Sequence, residues 1–197
     1  VKSAQFPFSS WLLGAMVAPT PVSALLHSSA MVKAGVYLVV RVAPLIAGTI
    51  GGNSIALIGA LTFLFSSLLA ISQSNSKKVL AYSTIGNLGL IVACAGVGKP
   101  EAIIAAVLLI IFHAVAKSLL FLCVGTIEHK IGSRDIEDMD WLILKLPKIA
   151  IAMIIGMAGM FLAPFGMLIS KWIVLGAFID SHSGLGPFLI LALSFGG

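Results

Sequence analysis

Acid is scarce in this chain, and charge of either sign is thin. Of 197 residues, seven are Asp or Glu, and all charged residues together make up 10% against 59% hydrophobic. An ordinary soluble domain carries about 25% charged residues, so a surface built from this composition would not stay hydrated. A soluble enzyme, a nucleic-acid binder and a disordered segment are excluded. Cysteine is scarce too: Cys94 and Cys123 lie in separate apolar stretches with no CxxC spacing. That excludes a cysteine-based disulfide or cluster framework and leaves both as small core residues. No metal, cofactor or catalytic group is expected on the chain. What remains abundant is apolar sequence, with a mean hydropathy of +1.13, which describes a membrane protein.

Proline, glycine and short polar turns divide the apolar sequence into spans. A short helical piece at 9–16 lies between Pro7 and the Pro19-Thr20-Pro21 punctuation. Pro21 fits the first turn of a helix, where its missing N–H has no partner. Crossings are predicted near 21–43, 54–72, 79–97 and 101–127, and a fifth from Pro147 to about Phe178 is broken at Ala163-Pro164-Phe165-Gly166. Each is long enough for a bilayer whose hydrocarbon core takes about 20 apolar residues. The one sizeable polar stretch is Glu128–Asp140, and a last, partial span starts near Pro187. The chain opens on Val1 and stops just after the apolar run 188–195, so it is expected to be an internal portion of a longer polytopic protein.

The twelve Lys and Arg residues give the orientation. Followed through alternate crossings, one face collects Lys77, Lys78, Lys130, Arg134, Lys145 and Lys148, and the other only Arg41 and Lys99. The positive-inside bias predicts that the loops at 72–78 and 129–148 are cytoplasmic in a multi-pass cell-membrane protein. Lys2, Lys33, Lys117 and Lys171 are left over, at membrane depth.

A lysine at the bilayer centre costs about 2.5–3.5 kcal/mol on insertion scales, so four of them, joined by His27 and His113, call for a bundle interior or a wet cavity. His113 and Lys117 are four apart and share one helix face. An imidazole titrates near neutrality and a desolvated ammonium group gives up its proton more readily, so the pair suits passing a proton. His27 and Lys33, six apart, are predicted on different faces of one helix, with Ser23, Ser28 and Ser29 supplying hydroxyls nearby. Lys2 stands five residues before Pro7 and Lys171 seven after Pro164. Interrupted helices in transporters place ionisable groups at coupling-ion sites, often in corresponding positions of two repeats.

The stretches KSAQFPFSSWL (2–12), APTPVSALLH (18–27) and MVKAGVYL (31–38) resemble the antiporter-like, proton-pumping membrane subunits of respiratory complex I, Mrp-type cation/proton antiporters and energy-converting hydrogenases. KVLAYSTIGNLG (78–89), FHAVAKSLLFL (112–122) and the ISKW (169–172) after the break are similar to the same family. The resemblance implies an all-α transmembrane bundle with two broken helices, part of an inverted-repeat fold. Residues 1–43 would close the first repeat, and 53–197 would form most of the second, with its broken helix at 149–178. It also implies a proton relay through Lys2, His27, Lys33, His113, Lys117 and Lys171, with breaks at Pro7, Pro164 and Gly166.

The polar loop and the APFGMLISKW break look closest to the hydrogenase branch. The leading expectation is therefore a non-catalytic proton-pumping subunit of a redox-driven complex, with membrane and soluble redox subunits as partners and no nucleic acid. A Mrp-type Na⁺/H⁺ antiporter subunit is the first rival, and a non-conducting scaffold the second.

Overall fold

The computed structural model describes residues 1–161, 166–181 and 184–196, and every named element among them is helical. The N-terminal segment, with a cis peptide before Pro7, runs into α1 (Ser10–Gly14) and a 3-10 turn. Next come α2 (Thr20–Ala24), a π turn (Leu25–Ser29) and α3 (Met31–Ile46), together a stretch of 27 residues that leaves helical geometry only at Ala30. They are followed by α4 (Ile50–Ile71), α5 (Ser76–Val97), α6 (Pro100–Ile131), α7 (Leu142–Lys145), α8 (Pro147–Phe161), α9 (Met167–Ile179) and α10 (Gly186–Gly196). The α2–α3 stretch, α4, α5 and α6 are each long and apolar enough to cross a membrane. The fifth predicted crossing is represented by α8 and α9. Its break residue Pro164 lies outside the described residues, whereas Gly166 sits immediately before α9 in the left-handed conformation, φ +86°.

Local chemistry fixes the helix ends. Thr49 caps α4 by accepting from the Gly52 N–H, and Asn75 caps α5 by accepting from Lys78 N–H at 3.2 Å, which satisfies amide groups a helix start leaves bare. Pro100 opens α6, and α5 and α6 each end on a left-handed glycine, Gly98 and Gly132. At 32 residues α6 is about 48 Å long, well beyond the roughly 30 Å hydrocarbon core, so one end reaches past the apolar zone.

The centre of the bundle is α5. In its apolar window 83% of residues are buried, against 28–44% in the other three spans. Small residues explain how it fits there: Gly59 and Ala56 on α4 face Gly89, Ala93 and Gly96 on α5. A Cβ at Gly89 would lie 2.7 Å from the Gly59 carbonyl oxygen, and one at Gly96 would lie 2.3 Å from the Ala56 nitrogen. Lipid tails are as apolar as leucine, so close backbone packing and its dispersion energy, not water exclusion, join these two helices. Leu45, Ile104, Val115 and Phe195 point outward on the opposite surfaces.

One further contact positions the site. The loop after α6 folds back over the start of α5 as an isolated antiparallel bridge between Asn75 and Asp135. Ser76 N–H donates to the Arg134 carbonyl and Ile136 N–H to the Ser74 carbonyl, both at 2.9 Å. This clasp brings the end of α6 beside the first turn of α5.

Candidate functional site

A line of ionisable groups runs along α6. His113 and Lys117 are both buried, and they point one turn apart into the interface with α3 and α5. Lys117 Nζ donates to the Ser83 hydroxyl and, at 3.4 Å, to the Leu80 carbonyl, both on α5. Lys33 on α3 is also buried and donates to the Ile110 carbonyl, three residues before His113. Both lysines act on His113 at Coulombic range. Neither ring nitrogen of His113 has a hydrogen-bond partner among the described residues.

His27 belongs to the same line at another height. Its ring stands between Trp11 and Phe121, 6.4 Å from each centroid, and its Nδ1 has no partner among the described residues. The spacing predicted different faces for His27 and Lys33, but both turn toward α6. The π turn inserts an extra residue, and Ala30 leaves helical geometry at φ −104°, ψ −80°, so the phase of α3 shifts against that of α2.

The other two predicted relay lysines are placed differently. Lys2 lies beside α3, where its Cβ would be 3.4 Å from a Cβ on Gly35, but its side chain is exposed and outside the buried line. Lys171 is half-buried on α9, with Nζ 5.5 Å from the centre of the Phe161 ring. Its helix is anchored near His113: a Cβ on Gly166 would fall 2.3 Å from the Phe112 ring. Among the described residues, no cluster of His, Cys, Asp and Glu could hold a metal ion.

Residues 1–196 match the family model described as NADH:quinone oxidoreductase/Mrp antiporter, TM. The chain belongs to that family. It is similar to a probable K⁺/H⁺ antiporter subunit from Rhizobium meliloti, 45% identical over 92% of this chain and 18% of the relative. It is also similar to a Na⁺/H⁺ antiporter subunit from Alkalihalophilus pseudofirmus, 42% identical over 86% of this chain and 23% of the relative. Among solved structures, a chain of the Mrp complex from Dietzia sp. superposes with a TM-score of 0.93 at 39% identity, covering 99% of this chain and 22% of that one. A chain of the membrane-bound sulfane sulfur reductase, an archaeal respiratory membrane complex, does so with 0.83 at 26% identity, covering 98% and 41%. The chain thus spans about a fifth of the length of the curated relatives it matches. It is an all-helical integral membrane member of a family of membrane-complex subunits, as the sequence motifs imply.

The structure also shows an ion-pair cluster that the assignment of Lys77 to a loop concealed. Lys77, which the sequence places with the loop charges, is buried in the first turn of α5 and pairs with Glu128 at 2.7 Å. Glu128 also accepts from Arg134 Nε at 2.5 Å and from the Thr20 hydroxyl at 3.2 Å. The orientation count therefore loses Lys77, since a residue held inside the bundle carries no loop charge; the five remaining basic residues on that face still outnumber the two opposite. One signal was present in the sequence: Lys77, Leu80, Thr84 and Asn87 follow a 3-4-3 spacing, which puts Lys77 on the buried face of α5.

Proposed function

We propose that this chain is the proton-conducting core of a Mrp-type cation/proton antiporter subunit, working within a multisubunit membrane complex. The observation that carries the reading is the burial of Lys33, His113 and Lys117 in one interface with both nitrogens of His113 unpartnered among the described residues. Three ionisable groups are costly to bury inside a membrane bundle, and each of them can hold or release a proton there.

The mechanism follows from spacing. His113 and Lys117 are one turn apart, a rise of about 6 Å, where two positive charges repel by roughly 3 kcal/mol at an effective dielectric of 20. Adding a proton to one member therefore drives one off the next. Hydroxyls such as that of Ser83, and bridging water, extend the path between side chains. Lys171, carried by α9, is the proposed far end of the line and His27 its near end, with the exposed Lys2 as a relay group outside the buried part. The loops at 72–78 and 129–148 are placed on the cytoplasmic side, and other membrane subunits complete the complex.

The names of the relatives weigh toward cation/proton exchange over the hydrogenase-linked pumping expected first. The similarity to a respiratory reductase chain supports the redox-driven alternative, in which soluble redox subunits are partners. Everted membrane vesicles carrying the complete complex test the reading: a Na⁺ or K⁺ gradient is imposed and proton movement is followed with a pH-sensitive dye. Lys117→Ala is expected to abolish exchange while the complex still assembles. Full exchange in that variant overturns the relay. Proton pumping that needs an electron donor and ignores Na⁺ and K⁺ selects the redox-driven alternative. A scaffold predicts that Lys33→Leu and Lys117→Leu are harmless.

A further inference from the structure

We propose that Lys77 and Glu128 form the port through which the buried line of α6 exchanges protons with water at the loop end of the bundle. This rests on the proton-conducting reading above and adds to it a site, two residues and a route.

The two side chains differ in exposure. Lys77 is 2% exposed and Glu128 21%, so a dry proton donor and a wet proton acceptor adjoin at 2.7 Å. A cavity of about 790 Å³ opens at this end, lined by Thr20, Lys77, Gly125, Glu128, His129 and Arg134 among others. It is roomy and polar enough to hold water in contact with the carboxylate. The three donors on Glu128 come from three elements: Thr20 at the start of α2, Lys77 on α5 and Arg134 in the loop. When Lys77 lets go, the carboxylate keeps two donors, so opening the pair does not leave it bare. Thr20 reaches it because Gly125 has no side chain; a Cβ there would lie 2.5 Å from the Thr20 methyl.

The route inward runs along α5. On α6, the turns between Lys117 and Glu128 carry Phe121 and Val124, both buried and apolar, which offer no proton-carrying side chain. On α5, Lys77 is followed by the buried Leu80 and Thr84 and the half-buried Ser83, and the Leu80 carbonyl and the Ser83 hydroxyl hold Lys117. From Lys77 to Ser83 the rise is about 9 Å, a gap that a few bridging waters can span. In the proposed sequence, the Lys77 ammonium gives one proton inward to a neutral Lys117. Glu128 then restores Lys77 with a proton it has taken from the cavity water. Each step lowers the donor by one charge and raises the acceptor by one.

The test uses the complete complex in everted vesicles. Glu128→Gln and Lys77→Gln are each expected to lower the exchange rate per assembled complex by at least about tenfold, with the apparent affinity for Na⁺ unchanged. A merely structural ion pair predicts instead that the amount of assembled complex falls while each assembled copy works normally, and that result overturns the port. Wild-type exchange in both variants, with Lys117→Ala inactive, also overturns it and leaves the relay standing; full exchange in Lys117→Ala overturns the relay itself. Where neither variant assembles, labelling decides. A cysteine introduced at the cavity wall as Ala18→Cys, in a Cys94→Ala/Cys123→Ala background, is expected to react with a membrane-impermeant maleimide added from the loop side. An unreactive thiol overturns the port.

Discussion

The ammonium group of Lys117 on α6 donates to the hydroxyl of Ser83 on α5, across the most buried helix of the bundle. The bond joins a residue within the FHAVAKSLLFL stretch to one within KVLAYSTIGNLG, so two separate sequence motifs are two halves of one contact. Its other partner, the Leu80 carbonyl, is at 3.4 Å, too long to replace it at full strength.

Ser83→Ala therefore removes the shorter of two bonds to a buried ammonium group. Hydrogen bonds to charged groups are worth about 1.5–3 kcal/mol, so exchange is expected to slow by roughly ten- to a hundredfold. Ser83→Thr keeps the hydroxyl and is expected to stay within about threefold of wild type. Initial rates of proton movement in vesicles, normalised to assembled complex, measure both.

His113→Leu separates structure from function. The substitution deletes two buried nitrogens, unpartnered among the described residues, and keeps an apolar side chain of comparable reach. The detergent-solubilised complex is expected to melt at the same temperature or slightly higher, while exchange is lost. A melting temperature several degrees lower would mean that the imidazole has partners holding the fold together.

Glycines on the two sides of the bundle should respond in opposite ways. At Gly89 a Cβ meets the Gly59 carbonyl oxygen and the Phe63 nitrogen, at 2.7 and 2.8 Å, and backbone cannot yield as a side chain would. Gly89→Ala is expected to cost about 1–3 kcal/mol, seen as less complex recovered and a lower melting temperature. At Gly176, in the last turn of α9, nothing lies within 4 Å of a Cβ. Gly176→Ala is expected to be neutral or to stabilise by up to about 1 kcal/mol through helix propensity.

The fold was legible in the sequence because its signals are local. Pro100, Gly98 and Asn75 mark helix ends by their own local chemistry, and the predicted spans match the α2–α3 stretch and α4 to α6 within a few residues. Lys33, His113 and Lys117 were legible as well, since an ionisable group among apolar neighbours has to turn inward. Lys77 and Glu128 were harder to find. Each stands at the end of an apolar run, where a charge normally meets water, and 51 positions separate them. The packing of α6 against α5 makes them neighbours, and the loop folded back at Asn75 and Asp135 brings Arg134 to the same carboxylate. The turn of His27 toward α6 was hidden for a different reason: a π turn changes helical phase, and no residue type at 25–29 announces one.

The uninterrupted length of α6 has a mechanical consequence. Lys117 sits near the midpoint of this rod, and Glu128 lies about 16 Å further along it. A swing of about 5° with its fulcrum at Lys117 would carry Glu128 sideways by roughly 1.4 Å while leaving the fulcrum almost still. That travel is half the present 2.7 Å separation from Lys77, enough to part the two groups without unwinding a single turn.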